Sequence, residues 1–278
     1  MKVALIPNLD KVGAEKCTAD IIKILKNSGD EVFVHENLRD KFLGAETLSH
    51  HYELAARSDV IITVGGDGTI LHAAKHAAAF DVPILGINMG RLGYLAGLEA
   101  QDIEKIPEVI RGSGQTEERK MLSCSVNGNP LPYVALNDGI IACRDIRAID
   151  FTVDINGSGA YPHRADGIII ATPTGSTAYS LSAGGPIVDP TLNCMIFTPI
   201  CPMSLYDRAV IYSGETEISV RIKDRDHGKF VLTLDGNKPI EIDENDVVSF
   251  SVAKRSIKLI RMGKTSFYDV VSKKLIVR

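Results

Sequence analysis

Apolar positions in the first third of the chain alternate between two periods. Lys2–Ile6 is a short apolar run that predicts a strand, and Gly13–Asn27 carries Cys17, Ile21, Ile22, Ile24 and Leu25 at helical spacing before Ser28-Gly29-Asp30 stops it. Glu31–His35 predicts a second strand, Leu48–Arg57 a short helix and Val60–Val64 a third strand. Thr69–Phe80 predicts a helix in which Ala73, Ala74, Ala77 and Ala78 permit close packing, and Val82–Asn88 predicts a fourth strand. Strand and helix in alternation imply a mostly parallel sheet covered on both faces. Ligands bind such sheets at the carboxyl ends of the strands. Two glycine loops, Gly65–Gly68 and Gly90–Gly93, each follow a strand and fall at that edge.

From about Lys120 the pattern changes to short alternating runs: Met121–Val126, Tyr133–Ala142, Ile149–Ile155 and Gly167–Ala171, then Ile218–Ile222, Lys229–Leu234, Val247–Ser251 and Ile257–Arg261. Turn signals such as Asn127-Gly128-Asn129-Pro130 separate them, and Asn156-Gly157 predicts a hairpin between Phe151–Ile155 and Ser158–Tyr161. The expected fold class is therefore an α/β domain followed by an all-β domain of two packed antiparallel sheets. The boundary falls near Glu117–Lys120 without a long linker, and nothing repeats at a solenoid period.

Composition narrows the classes. The 278 residues are 45% hydrophobic, enough to bury a sizeable core, and the formal net charge is −4. With no Lys/Arg block or basic tail, nucleic acid is not the expected partner. The five cysteines are scattered and form no C-x-x-C pair, which argues against zinc or a disulfide framework and for a reduced, cytoplasmic protein. Met1–Ile6 reads as a first strand, not a signal peptide, and no apolar run is long enough to span a bilayer.

The chemistry concentrates in Gly65-Gly66-Asp67-Gly68-Thr69, a turn from a buried strand into a helix with a carboxylate at its centre. Glycines let backbone N–H groups approach an anion, and the helix start adds its own unpaired N–H groups. The loop matches neither G-x-x-x-x-G-K-[ST] nor G-x-G-x-x-G. A phosphate loop without lysine relies on backbone donors and a metal ion, and its acid serves as a magnesium ligand or takes the proton of an attacking hydroxyl. The bland alternative is a tight turn in which Asp67 caps the helix. The spacing of three glycines around the acid favours function.

A second run, Ala171-Thr172-Pro173-Thr174-Gly175-Ser176-Thr177-Ala178-Tyr179-Ser180-Leu181-Ser182, follows an apolar strand and leads to Gly184-Gly185-Pro186. Its hydroxyls are short hydrogen-bonding groups, and Tyr179 adds a ring on which a base can stack. Leu136-Asn137-Asp138-Gly139 pairs an amide with an acid suited to an adenine edge and a ribose, though Asn-Asp-Gly is first of all turn chemistry. Arg164-Ala165-Asp166-Gly167 and Asp235-Gly236-Asn237 fall under the same reservation. His72 and His76 stand four apart, but no third ligand accompanies them, so a solvated helix face is expected, with His50-His51 at the surface.

Together these motifs resemble those of the bacterial and archaeal NAD kinases. The likeness rests on Gly65–Thr69, Gly90-Arg91-Leu92-Gly93-Tyr94, Leu136-Asn137-Asp138, Asp166-Gly167, Thr172–Tyr179 and Gly184-Gly185-Pro186, in that order. The glycine–aspartate loop alone is shared with lipid kinases, whereas the Thr-Pro-Thr-Gly-Ser-Thr-Ala-Tyr run is far more specific. The resemblance implies a Rossmann-like α/β domain over 1–118, joined by a tail at about 264–278, and an antiparallel β-sandwich domain over 119–263. It implies transfer of the ATP γ-phosphoryl to the 2′-hydroxyl of the adenosine ribose of NAD, with magnesium or another divalent ion, polyphosphate being a donor for some members. Asp67 would be the base, and Gly65, Gly66, Gly68 and Thr69 would hold phosphates. Asp67, Gly68, Tyr94, Asn137, Asp138, Arg164, Asp166, Thr177, Ala178, Tyr179 and Ser182 would contact NAD. A homodimer or homotetramer is expected. Rival readings are a diacylglycerol-type lipid kinase and a non-catalytic dinucleotide sensor. The chain departs from the family pattern at Asp138, where glutamate is common, at Met203, where histidine is usual, and at Arg208-Ala209 in place of Arg-Pro.

Overall fold

The computed structural model describes residues 1–90, 93–145, 147–223, 229–263 and 267–276. The chain forms two compact units, Met1–Arg119 with Arg255–Arg278, and Lys120–Lys254.

The first unit opens with β1 (Lys2–Pro7), α1 (Ala14–Asn27), β2 (Glu31–His35), β3 (Glu46–Leu48), α2 (His51–Arg57), β4 (Val60–Gly65), α3 (Asp67–Phe80), β5 (Ile84–Asn88), β6 (Leu98–Glu99) and a short α4 (Ile106–Glu108). The strands lie in the order β3-β2-β1-β4-β5, all parallel, with β6 also parallel to β5. Every residue of β4 and β5 is buried, as expected where both faces of a parallel sheet are covered. On one face Val3, Leu5, Val60 and Ile62 pack with Ile21, Leu25 and Ile106. On α3, Ala73, Ala74 and Ala77 are fully buried, and a Cβ at Gly86 of β5 would lie only 2.5 Å from Ile70 Cδ1. Small residues thus allow this helix to lie close to the sheet.

The second unit comprises β7 (Gln115–Val126), β8 (Asn129–Pro130), β9 (Asp138–Cys143), β10 (Ile149–Ile155), β11 (Ala160–Ala165), β12 (Gly167–Ala171), α5 (Tyr179–Ser182), β13 (Cys194–Ile200), β14 (Val210–Ser213), β15 (Ile218–Ile222), β16 (Phe230–Leu234), β17 (Ile240–Ile242) and the start of β18 (Val247–Arg261). One antiparallel sheet runs β14-β13-β12-β9-β16-β17. A second set runs β11-β10-β15-β18, also antiparallel. Their inner faces share one core, with Ile141, Ile168, Phe197, Phe230 and Leu232 from the first set and Phe151, Val153, Val220 and Phe250 from the second. The result is a β-sandwich. The far end of β18 belongs to the first unit, where Leu259 and Ile260 pair in parallel with Ile84 and Leu85, and α6 (Phe267–Ile276) follows.

The predicted hairpin forms on Asn156 and Gly157, at φ 53° and 71°, the paired left-handed conformation of a two-residue turn. Gly159, at φ 133°, is one residue extra to the ladder, so β11 starts at Ala160 instead of Ser158. Three other expectations shift. The stretch predicted as one helix, Leu48–Arg57, divides, because Thr47 and Leu48 pair with Val34 and His35 as an edge strand. The two runs Val247–Ser251 and Ile257–Arg261 are one strand, whose alternation is interrupted by the exposed Lys254 and Arg255. The run from Tyr133 becomes a strand only at Asp138.

Gly97 locks the loop after β5 against β18. Its N–H donates to the Gly86 carbonyl and its own carbonyl accepts from Met262 N–H, both at 3.0 Å. A Cβ here would overlap the Ile260 carbonyl oxygen, which is backbone and has nowhere to move. Gly97→Ala is therefore expected to cost about 1–3 kcal/mol. A urea unfolding midpoint equal to the wild type would show that the two backbones do not approach this closely.

Candidate active site

The Asp67 carboxylate is held by the loop that follows β5. Tyr94 N–H donates to Oδ2 at 2.8 Å and Leu95 N–H to Oδ1 at 3.1 Å. The parallel register pairs Gly65 with Asn88, so β4 and β5 end level and their loops leave the sheet side by side. Gly93 has no side chain for a direct reason: a Cβ would collide with Asp67 Oδ1. The alternative in which Asp67 caps its helix is excluded. Asp67 is the first residue of α3, Gly66 is the N-cap, and no side chain caps that end.

The glycines of this loop differ in role. A Cβ at Gly65 would strike Thr69 Oγ1, so packing explains that position. At Gly66 and Gly68 a Cβ would meet nothing within 4 Å. Space is left there beside the first N–H groups of α3, the arrangement an anion requires. A cavity of about 400 Å³ adjoins Gly68 and Thr69, lined also by Pro7, Asn8, Asn37, His35, His51 and His72.

The histidines meet the expectation in part: His50 and His72 are exposed, whereas His51 and His76 are half-buried, and His51 stands among three other imidazoles. The His51 ring centroid lies 4.7 Å from that of His35, 4.8 Å from His72 and 5.7 Å from His76. His51 Nδ1 is buried without a hydrogen-bond partner among the described residues. Burial, then the neighbouring imidazoles and Lys75, lowers the His51 pKa to about 4. His76 is likewise lowered to about 4, by burial and then Lys75 and His72, and His72 is lowered by burial and Lys75. No local pattern predicts the cluster, because α2 and the end of β2 bring His51 and His35 to α3 only in three dimensions.

Two cations act on Asp67 from the end of the chain. Arg261, at the end of β18, donates from Nη2 to the Tyr94 carbonyl and places Nε 2.9 Å from Glu117 Oε2. Burial lowers its pKa, with Glu117 and Asp67 opposing. Lys274 of α6 lies with Nζ 3.7 Å from the Tyr94 ring centroid. Neither was marked as a site residue from the sequence.

In the second unit three motifs converge on one carboxylate. Asp235 accepts the backbone N–H groups of Leu136 at 2.6 Å, Asn137 at 2.8 Å and Asp138 at 3.1 Å. This explains the late start of β9, since these amides serve the Asp235 side chain first. It also gives Asp235-Gly236-Asn237, read as a mere turn, an organising role. The hydroxyl-rich loop packs on the same backbone: Thr172 Oγ1 donates to the Leu136 carbonyl at 2.5 Å, Thr172 N–H to the Asn137 carbonyl at 2.8 Å, and a Cβ at Gly175 would collide with that carbonyl. The Ser176 hydroxyl donates to the Val188 carbonyl and accepts from the Val188 N–H, and Ser180 Oγ pairs with Thr198 Oγ1 at 2.9 Å. Thr172, Ser176 and Ser180 are buried and spent on the fold, whereas Thr177 and Ala178 are half-buried and Tyr179 and Ser182 exposed.

Asp138 is 5% exposed, and no donor among the described residues bonds its carboxyl group. Burial, reinforced by Asp235, pushes its pKa up to about 7. Asn137 and Asp166 are half-buried. Arg164 is exposed, with Nη1 3.5 Å from Asp150 Oδ2. Arg91 and Leu92 of the second glycine loop, and Ser266, Val277 and Arg278 of the tail, lie outside the described residues.

Comparison with known proteins gives the family of the chain. The chain matches the ATP-NAD kinase N-terminal domain over residues 3–112 and the ATP-NAD kinase C-terminal domain over 114–262. It is 36% identical to an NAD kinase of Symbiobacterium thermophilum, covering 99% of this chain and 98% of that protein. It is also 36% identical to an NAD kinase of Thermoanaerobacter, covering 100% and 99%. Among solved structures, a yeast NADH kinase complexed with NADH superposes with a TM-score of 0.91 at 24% identity, covering 99% of this chain and 87% of that one. An NAD kinase from Archaeoglobus fulgidus in complex with ATP gives 0.78 at 26% identity, covering 98% of each. With both domain models matched in order and relatives alike over their full length, the chain belongs to the ATP-NAD kinase family.

Proposed function

We infer that this protein transfers the γ-phosphoryl group of ATP to the 2′-hydroxyl of the adenosine ribose of NAD. The observation that carries the reading is the Asp67 carboxylate, fixed by two backbone amides at the start of α3 beside the open positions Gly66 and Gly68. In the reaction Asp67 accepts the 2′-hydroxyl proton, the O2′–P bond forms as the bond from Pγ to the β-phosphate oxygen breaks, and ADP leaves with that electron pair. The rate gain from such sites is mostly positioning and electrostatics, and a rigidly held acid supplies the first. Gly66 and Gly68 are assigned to phosphate through their amides at the α3 start, and Thr69, whose amide donates to the Gly66 carbonyl at 2.9 Å, through its hydroxyl. The adjoining cavity is assigned to the donor nucleotide. Asn137, Asp138, Asp166, Thr177, Ala178, Tyr179 and Ser182 are assigned to the dinucleotide, and Tyr94 to its adenine. A lipid substrate has no observation of its own in favour, since the match to the family spans both domains.

Among the described residues no group of three or more His, Cys, Asp or Glu side chains is arranged to hold a metal ion. The required divalent ion accordingly enters on the ATP phosphates, as magnesium commonly does. For location and assembly the supports are indirect. All five cysteines are free thiols, as in a reducing cytoplasm. Leu205 and Tyr206, 82% and 94% exposed, precede the edge strand β14, whose Val210 and Ile211 are also exposed. We assign this apolar edge to a homodimer or homotetramer, and sedimentation equilibrium at micromolar concentration returning only monomer would rule that out.

With NAD, ATP and magnesium, coupled to an NADP-specific dehydrogenase, the protein is expected to form NADP, and none when the metal is chelated. Asp67→Asn should keep the fold and NAD binding and lower turnover roughly 10²–10⁴-fold; near-normal turnover would remove Asp67 as the base. Asp138 should show the cost of keeping an acid for a ligand. Its pKa rises from 3.8 to about 7 on folding, so its penalty is absent below about pH 4, grows as the pH rises through that window and is complete above it. Asp138→Asn should therefore weaken NAD binding while raising Tm more at about pH 8 than at about pH 5. An equal gain at both would deny the burial of a titrating acid.

A further inference from the structure

The glycine loop of this chain has no lysine, yet phosphoryl transfer develops negative charge that kinases meet with a protein cation. Lys274 is the side chain near Asp67 that the chemistry described so far leaves unused. It stands in the last turn of α6, half-buried, with Nζ 3.7 Å from the centre of the Tyr94 ring. Tyr94 is the residue whose N–H holds Asp67 Oδ2. Desolvation lowers the Lys274 pKa, and the Asp67 charge pulls it the other way, so the ammonium sits within electrostatic reach of that carboxylate. Among the described residues no carboxylate lies within ion-pair distance of it. Arg261, the other cation close by, is already committed to Glu117 and to the Tyr94 carbonyl. A partly desolvated ammonium that faces a ring and no ion-pair partner is complementary to an anion.

The place where that anion arrives follows from Asp67. An acceptor hydroxyl must come within about 3 Å of the carboxylate that takes its proton. The phosphorus bonds to that same oxygen, so its three equatorial oxygens pass a few ångströms from Asp67. A flexible four-carbon stem carries the ammonium from the ring face to them.

We propose that Lys274 is a catalytic residue whose ammonium contacts the phosphoryl group in transit, supplying from the end of the chain the cation that the glycine loop lacks. The inference rests on Asp67 being the base at the 2′-hydroxyl. Lys274 keeps its protons throughout. The hydroxyl proton goes to Asp67, and the electron pair of the broken P–O bond leaves with ADP.

The test uses the full chain with NAD, ATP and magnesium. Lys274→Met should lower kcat roughly 10²-fold, the scale of removing one donor to a transition-state oxyanion, with the KM for NAD and Tm near wild type. Lys274→Arg should recover most of that loss, and added methylammonium should partly restore Lys274→Ala. Wild-type kcat in Lys274→Met would overturn the proposal. So would a loss shared by Lys274→Arg, accompanied by a lower Tm and indifferent to the amine, because that pattern belongs to a residue that only docks α6. Failure of the base assignment is read separately, on Asp67→Asn.

Discussion

Two amide hydrogens, from Tyr94 and Leu95, close on the two oxygens of Asp67, and the first unit is arranged around that contact. It requires β4 and β5 to be adjacent and to end level, which their parallel register ensures. It requires a bare backbone at Gly93. It also requires the loop beyond to be anchored, which Gly97 does by bonding Gly86 on one side and Met262 on the other. Two such bonds, one to each oxygen, fix the direction of the carboxylate. A free carboxylate on a glycine loop would sweep a cone; this one points where two amides aim it. The fold therefore supplies orientation, the quantity that an ordinary acid most needs to serve as a base.

The second unit uses the same device for a different end. Asp235 gathers the amides of Leu136, Asn137 and Asp138, and the Thr172–Gly175 turn seats itself on the carbonyls of the same residues. One carboxylate thus ties together segments a hundred residues apart in sequence. Its charge is spent on structure, and the acid beside it, Asp138, bears the consequence: burial and a like-charged neighbour make its ionised form costly. Asp67 and Asp138 are both acids on turns after or before buried strands, but the carboxylate of one is gripped by two amides and that of the other is left without them. That contrast is what separates a candidate base from a candidate binding group.

Much of this was legible in the residues. Periods of 3.6 and 2 located β1, α1, β2, β4, α3 and most of the sandwich, because those elements bury one consistent face. The two-residue Asn156-Gly157 turn followed from the conformations those residues tolerate. Edge elements were harder. Glu46–Leu48 is three residues long, too short to show alternation, and Lys254-Arg255 hid the continuity of β18. Within the hydroxyl-rich run, composition does not reveal which hydroxyls are consumed: Thr172 and Ser176 are spent on backbone carbonyls and Ser180 on Thr198. Lys274 and the histidines were illegible for a deeper reason. Lys274 takes its character from Tyr94, and His51 takes its own from rings on other elements, and no local pattern records such a neighbour.

The histidines bear on where positive charge is found. His51 and His76 are pushed far toward the neutral form by burial, with neighbouring imidazoles and Lys75 adding to it, and His72 is pushed in the same direction by burial and Lys75. Of these, His51 and His72 line the cavity beside Gly68 and Thr69, with rings whose protonation burial disfavours. Helix amides supply only partial charges. Lys75 belongs to that same histidine group and helps to suppress its protonation. Arg261 is partly neutralised by Glu117. On the proposed reading, a triphosphate at α3 would meet oriented amides first and a full positive charge at Lys274, on the helix that ends the described chain. Placing the strongest cation on the last element makes phosphate neutralisation depend on the completed fold, whereas a lysine within the glycine loop would offer it as soon as β4 and α3 had formed.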